Sequence, residues 1–142
     1  MANSFGVSGV AKQAAMAAIL DGKTLKAALY LVSATTGPTN TIYTSTGELA
    51  ATGNYAAGGA SVTNANTAGL TSTTAYWTPS ASIVYPASMT SSGAFDCVMI
   101  YSTTDTNRNI ALYNLGSQSI TAGLLTLTMP TNDSSTGLIR FA

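Results

Sequence analysis

Phe95-Asp96-Cys97-Val98-Met99-Ile100-Tyr101-Ser102 and, after a polar turn, Asn109-Ile110-Ala111-Leu112-Tyr113-Asn114-Leu115 decide how this chain folds. The first run is apolar at odd and even positions alike, apart from Asp96. A strand that buries only one face alternates; a run apolar on both faces predicts a strand in the middle of a sheet. The second run is rich in β-formers and is separated from the first only by residues 103–108, so the two predict an antiparallel hairpin. Upstream, residues 24–32 predict another strand, with Leu25, Ala27, Leu29 and Leu31 on one face and Lys26, Ala28, Tyr30 and Val32 on the other. Gly37-Pro38-Thr39-Asn40 is a turn by composition, and residues 41–45 predict a short strand. Residues 47–59 form a glycine-rich loop around Tyr55. Further strands are predicted over 61–63, 70–77 (ended by Pro79), 82–85 (closed by Pro86), 124–129 (stopped at Pro130) and 137–141. About eight strands recur every 8–15 residues or so with no helix between them, the pattern of an all-β antiparallel β-sandwich of jelly-roll or immunoglobulin-like type.

The first 22 residues have a different texture. Ser8 is a natural N-cap for a helix over 9–21, Val10, Ala14, Ala17 and Ala18 recur at helical spacing beside Met16, Ile19 and Leu20, and Gly22 suits the position just past the end. The expected organisation is a helical arm over 1–22 and a β-domain over 23–142. The apolar stretch 14–20 is too short and Ala-rich for a signal sequence. It is also far below the roughly 20 residues of a membrane span, so no membrane partner is expected.

Composition narrows the chemistry. The 142 residues include no histidine and one cysteine; 7% are charged, 46% are apolar, and five basic side chains balance five acidic ones. Five dispersed cations make no counterion-releasing patch, so nucleic acid is not an expected partner. The Cys/His clusters that hold zinc are missing, and neither Asp105 nor Asp133 has the dense acidic spacing of a calcium loop; no metal or cofactor is expected. Cys97 lies in an apolar strand with no histidine to activate it and reads as an inert buried thiol. Glu48 and Asp96 are the acids outside turns and caps, the best pair for glycosidase chemistry, yet nothing in their context supports pairing. Gly53-x-x-x-x-Gly58-Gly59 lacks the Lys-Ser/Thr ending of a phosphate loop and reads as turn glycines. Trp77 and the tyrosines read as core, with a carbohydrate-binding platform as the alternative. Arg140 is expected to pair with an acid such as Glu48 or Asp96, or to face a partner. No catalytic residue is assigned, and the chain is expected not to be an enzyme.

The order of several pieces carries a resemblance over residues 24–142. Leu25-Lys26-Ala27-Ala28-Leu29-Tyr30 comes first, then Gly47-Glu48-Leu49 running on to Gly58-Gly59, then Trp77 at a strand end. The pair Val98-Met99-Ile100-Tyr101 and Ile110-Ala111-Leu112-Tyr113 follows, then Leu125-Thr126-Leu127-Thr128-Met129-Pro130 and Gly137-Leu138-Ile139-Arg140. In this order the chain resembles small β-rich virion structural proteins of tailed bacteriophages, of the capsid decoration or cement type. The resemblance implies a homotrimer on the virion's capsid surface, partnered by the major capsid protein and bracing capsomer junctions. A tail-tube or tail-associated subunit, with residues 44–69 as a sheet-extending loop, is the alternative. The first 22 residues are longer and more helical than the resemblance implies. On the assembly readings the expected contacts are Phe5, Val7, Met16 and Ile19 of that segment, then Tyr55 in the loop.

Overall fold

A computed structural model describes residues 3–142. The chain is mostly β, with one short helix and several antiparallel sheets. It divides into two compact units: residues 23–63 with 81–128, and the N-terminal residues through 22 with 64–80 and 129–142.

The larger unit is built on the predicted hairpin. β1 (Leu25–Leu31), β2 (Ala60–Val62), β6 (Phe95–Ser102) and β7 (Arg108–Gln118) form a four-stranded antiparallel sheet in the order β2-β1-β6-β7. β6 starts and stops where the apolar run does, and β1 pairs with it from Leu25↔Ser102 to Leu31↔Phe95. Both central strands are buried on both faces, as an uninterrupted apolar pattern requires. One face gathers Ala28, Tyr30, Met99 and Tyr101, with Ala34, Tyr43, Cys97 and Leu112 packed against them. Alternation puts Leu25, Ala27, Leu29, Val98 and Ile100 on the other face, where all are buried. A two-stranded ribbon, β5 (Ile83–Val84) with β8 (Thr126–Leu127), completes the unit and is anchored to β1 by Tyr85 Oη, which donates to Ala27 O at 2.9 Å.

The strand expected over 41–45 reduces to a single bridge, Ile42↔Arg108. Tyr43 there is committed to a carboxylate and to ring stacking, as described below, and the backbone does not run on as a ladder.

In the smaller unit α1 (Gly9–Leu20) shares its packing with a three-stranded sheet of β3 (Gly69–Thr71), β4 (Thr74–Trp77) and β9 (Ile139–Phe141). Ser8 caps α1, its Oγ accepting from Ala11 N–H at 3.3 Å, and Gly22 takes φ +67° beyond its end. The strand expected over 70–77 is two strands, because Ser72 adopts φ +55° and folds the segment into a tight hairpin. The helix also turns differently from the expected Val10–Ala14–Ala18 stripe. Gly9, Met16 and Leu20 are buried, while Val10, Ala14 and Ala18 are exposed. Gly9 explains the choice: a Cβ there would lie 2.6 Å from Ser72 O, so only glycine lets the first turn sit on the β3–β4 turn. Lys12 Nζ donates to Thr73 O at 3.2 Å and Gln13 Nε2 to Ala68 O at 2.9 Å, fixing that face.

Met16 is fully buried in this packing. Met16→Ala is therefore expected to destabilise the isolated protein by about 2–4 kcal/mol, read by urea unfolding. A residue kept only for contact with a partner would leave that midpoint unchanged.

Candidate functional site

Two regions stand out: a buried carboxylate ringed by tyrosines, and an exposed apolar surface at the N-terminus. The first lies wholly in the larger unit. Glu48 is 8% exposed, and its backbone bridges to Tyr30 of β1. Its Oε1 accepts from Tyr55 Oη at 2.8 Å and from Gly58 N–H at 2.7 Å, and its Oε2 accepts from Tyr43 Oη at 2.6 Å. Tyr55 Oη also accepts from Leu29 N–H of β1 at 3.0 Å. Around this core Tyr101 Oη donates to Gly58 O at 2.9 Å and Tyr30 Oη to Thr44 O at 2.6 Å, while Tyr43 stacks on Tyr101 with ring centroids 4.5 Å apart. The contacts to Glu48 close loop 43–59 on itself, and those of Leu29, Tyr30 and Tyr101 tie it to β1 and β6. The arrangement is a clamp: one carboxylate holds three donors, of which Tyr55 Oη and Gly58 N–H would otherwise be buried without an acceptor.

Burial keeps the surrounding phenols neutral. Tyr30 is pushed up to about 12, chiefly by burial and then by the Glu48 charge, against an opposing hydrogen bond to Thr44. Tyr113 is pushed up to about 12 by burial alone. Tyr43, Tyr55 and Tyr85 are raised by burial first, with Glu48 adding to each, and Tyr101 is raised by the same two causes. The fold thus favours the neutral phenol. Its contribution to stability is complete below the free-tyrosine value of 10.0 and is lost as pH rises through about 12. We expect most of the phenolate absorbance near 295 nm, that of Tyr30, Tyr43, Tyr55, Tyr85, Tyr101 and Tyr113, to appear late and in step with unfolding, above pH 10 or so; ordinary titration of these six in the folded protein would contradict this burial.

Asp96 stands elsewhere in that unit, half-buried at a register shift of β6, where it lines a hollow with Tyr30, Leu31 and Tyr113. Glu48 does not line that hollow. Cys97 is half-buried, and burial, with the Asp96 charge beside it, pushes its thiol up and holds it protonated. Arg140 Nη1 donates to Ser135 O at 2.7 Å, beside Asp133, whose carboxylate caps the backbone N–H groups of Ser135 and Thr136. Trp77 is fully buried and its Nε1 donates to Asn66 O at 3.3 Å, so it offers no platform to a sugar. Among the described residues no three His, Cys, Asp or Glu side chains gather, and no helix is long and apolar enough to cross a membrane.

The second region is the N-terminal surface. Phe5 is 100% exposed, Val7 64% and Val10 68%, and Ala14 and Ala18 continue the exposed line along α1. Of the expected contact residues, Phe5 and Val7 have surface to offer and Ile19 is half-buried. Met16 and Tyr55 are enclosed in their own units, Met16 under α1 and Tyr55 against Glu48, so their side chains have none. The clamp was missed from sequence, although the positive φ values of Gly58 and Gly59, +85° and +77°, belong to the doublet already read as turn glycines. Within the segment 44–69, Glu48 accepts from Tyr55 and Gly58, residues 60–62 are β2, and β3 begins at Gly69. Comparison with protein-family models, with curated proteins and with solved structures finds no match to this chain.

Proposed function

We propose that this protein is a non-enzymatic structural subunit, a capsid decoration protein of a tailed phage that binds the assembled shell's outer surface and stabilises capsomer junctions. The observation that carries the reading is the N-terminal surface. A fully exposed phenylalanine followed by Val7 and Val10 is costly to leave in water and is what an assembly contact requires. Burying each such side chain is worth roughly 1.5–3 kcal/mol before ordering costs. That is modest per copy, and avidity over several contacts multiplies it. The buried carboxylate supports the same reading, since Glu48 is engaged by three donors and holds a loop in place. The resemblance over residues 24–142 supplies the phage context, the trimer and the shell as partner. Within the larger unit we read the β5–β8 ribbon over the four-stranded sheet as the second layer of a β-sandwich.

A tail-tube or tail-associated subunit is the second reading, favoured by one observation: β7 is a long strand that ends the strand order of its sheet. Electron microscopy of the purified protein separates the two. Discrete small particles are expected for a decoration protein; spontaneous tubes would transfer the assignment to the tail.

A further inference from the structure

The acids of this chain are engaged by their own surroundings, with one exception. Asp21 Oδ1 accepts from Ala68 N–H at 2.8 Å, Glu48 accepts from Tyr43, Tyr55 and Gly58, and Asp133 accepts from Ser135 and Thr136, while Asp105 pairs with Arg108 at 3.0 Å. Asp96 is the exception: within the larger unit no described residue gives its carboxylate a hydrogen bond or an ion pair. It is also the one charge in β6. The pairing of β6 steps around it. Against β1, Cys97 faces Tyr30 and Phe95 faces Leu31; against β7, Cys97 faces Asn114 and Phe95 faces Gln118, so neither neighbour pairs with Asp96. A residue bulged out of the ladder has its side chain re-aimed. Strict alternation would send Asp96 and Cys97 to opposite faces, yet both line one hollow of about 270 Å³. Leu31, Pro38 and Leu112 give that hollow an apolar wall.

The volume is below the roughly 300–1,000 Å³ of sites that enclose drug-sized ligands and suits a single side chain. A half-buried carboxylate with two open oxygens matches a planar guanidinium, which donates to both at once, and the apolar wall matches the methylenes of its stem. One partly exposed ion pair is weak, holding a free ligand with a Kd on the order of 1 mM. A small molecule is not retained at that strength, whereas a side chain presented by a partner acts as one anchor among several contacts. Arg108 and Arg140 are each engaged in their own fold, so a second copy is not the source. We propose that this hollow receives an arginine side chain of a different protein, with its guanidinium on Asp96 and its methylenes against Leu31, Pro38 and Leu112.

This inference stands apart from the virion reading, and its test needs no shell. n-Propylguanidinium chloride, which copies the arginine side chain, is titrated into the isotope-labelled protein and followed by nuclear magnetic resonance. The amide signals of Asp96, Cys97, Leu112 and Asn114 are expected to shift together and to saturate, with a Kd on the order of 1 mM. n-Propylammonium, a point charge on the same stem, is expected to bind several-fold more weakly, and potassium chloride to give no saturable shift. Asp96→Asn is expected to weaken guanidinium binding by roughly tenfold or more. The comparison of the two organic cations uses the unaltered protein, so it decides the point whatever the stability of the variant. No saturable shift, equal binding of the two cations, the same shifts with potassium chloride, or unchanged binding in Asp96→Asn would each overturn the proposal. Half-saturation at micromolar concentration would overturn it too, because the hollow would then retain a free ligand without a partner to present it.

Discussion

Glu48→Ala is expected to lower the unfolding free energy by roughly 3–5 kcal/mol, a large fraction of what a domain of this size has to lose. The size follows from what is left behind. Removing the carboxylate strands Tyr43 Oη, Tyr55 Oη and Gly58 N–H at once, and the last two are buried where no water replaces the lost acceptor. Glu48→Gln distinguishes this cause from lost volume. Its carbonyl oxygen still accepts from Tyr55 and Gly58, and its amide N–H meets Tyr43 Oη, which turns to accept. The expected loss is then about 1–2 kcal/mol. Urea unfolding of the three proteins checks both values. An alanine variant within half a kcal/mol or so of the parent would mean that the loop is held by something other than this carboxylate.

Gly59→Ala is expected to be the more damaging change, abolishing stable folding of the larger unit. An added Cβ would fall 1.8 Å from Ala27 O and 2.6 Å from Ala28 Cα, both backbone atoms of β1, with φ held at +77°. Backbone in a central strand has nowhere to go, and a clash of this kind belongs with losses of roughly 4 kcal/mol or more. Gly58→Ala makes the contrast. It shares the left-handed backbone, at φ +85°, but its Cβ would meet only the tip of Tyr101 at 3.0 Å and Lys26 Nζ at 3.5 Å. That variant is expected to cost about 1–3 kcal/mol, chiefly backbone strain, and to remain folded. Soluble expression and near-ultraviolet dichroism of the two variants, side by side, decide the point.

The features legible in the sequence were those carried by local pattern. β6 was readable because an eight-residue run apolar on both faces has one comfortable place, the middle of a sheet. The limits of α1 were readable because Ser8 and Gly22 act through their own backbone neighbourhood. What failed to show depends on geometry between segments. The β3–β4 hairpin hides inside a run of β-formers because its turn is made by Ser72 and Thr73, with no glycine to mark it. The face that α1 buries was misjudged because alanine spacing marks a stripe as well as larger side chains do, and the deciding contact is Gly9 against the Ser72 carbonyl. The Glu48 clamp draws partners from positions 43, 55 and 58, a spacing that matches no helix or strand period. The loop that brings them to one carboxylate turns through positive φ at Gly53, Asn54, Gly58 and Gly59.

On the proposed reading this chain binds an assembled shell through its N-terminal surface. The most direct measurement is co-sedimentation of the purified protein with shells assembled from the major capsid protein alone, repeated with Phe5→Ser. Saturable binding at a fixed number of copies per shell, lost or strongly weakened in the variant, is the predicted result. Shells that sediment without the protein at every concentration would contradict the account.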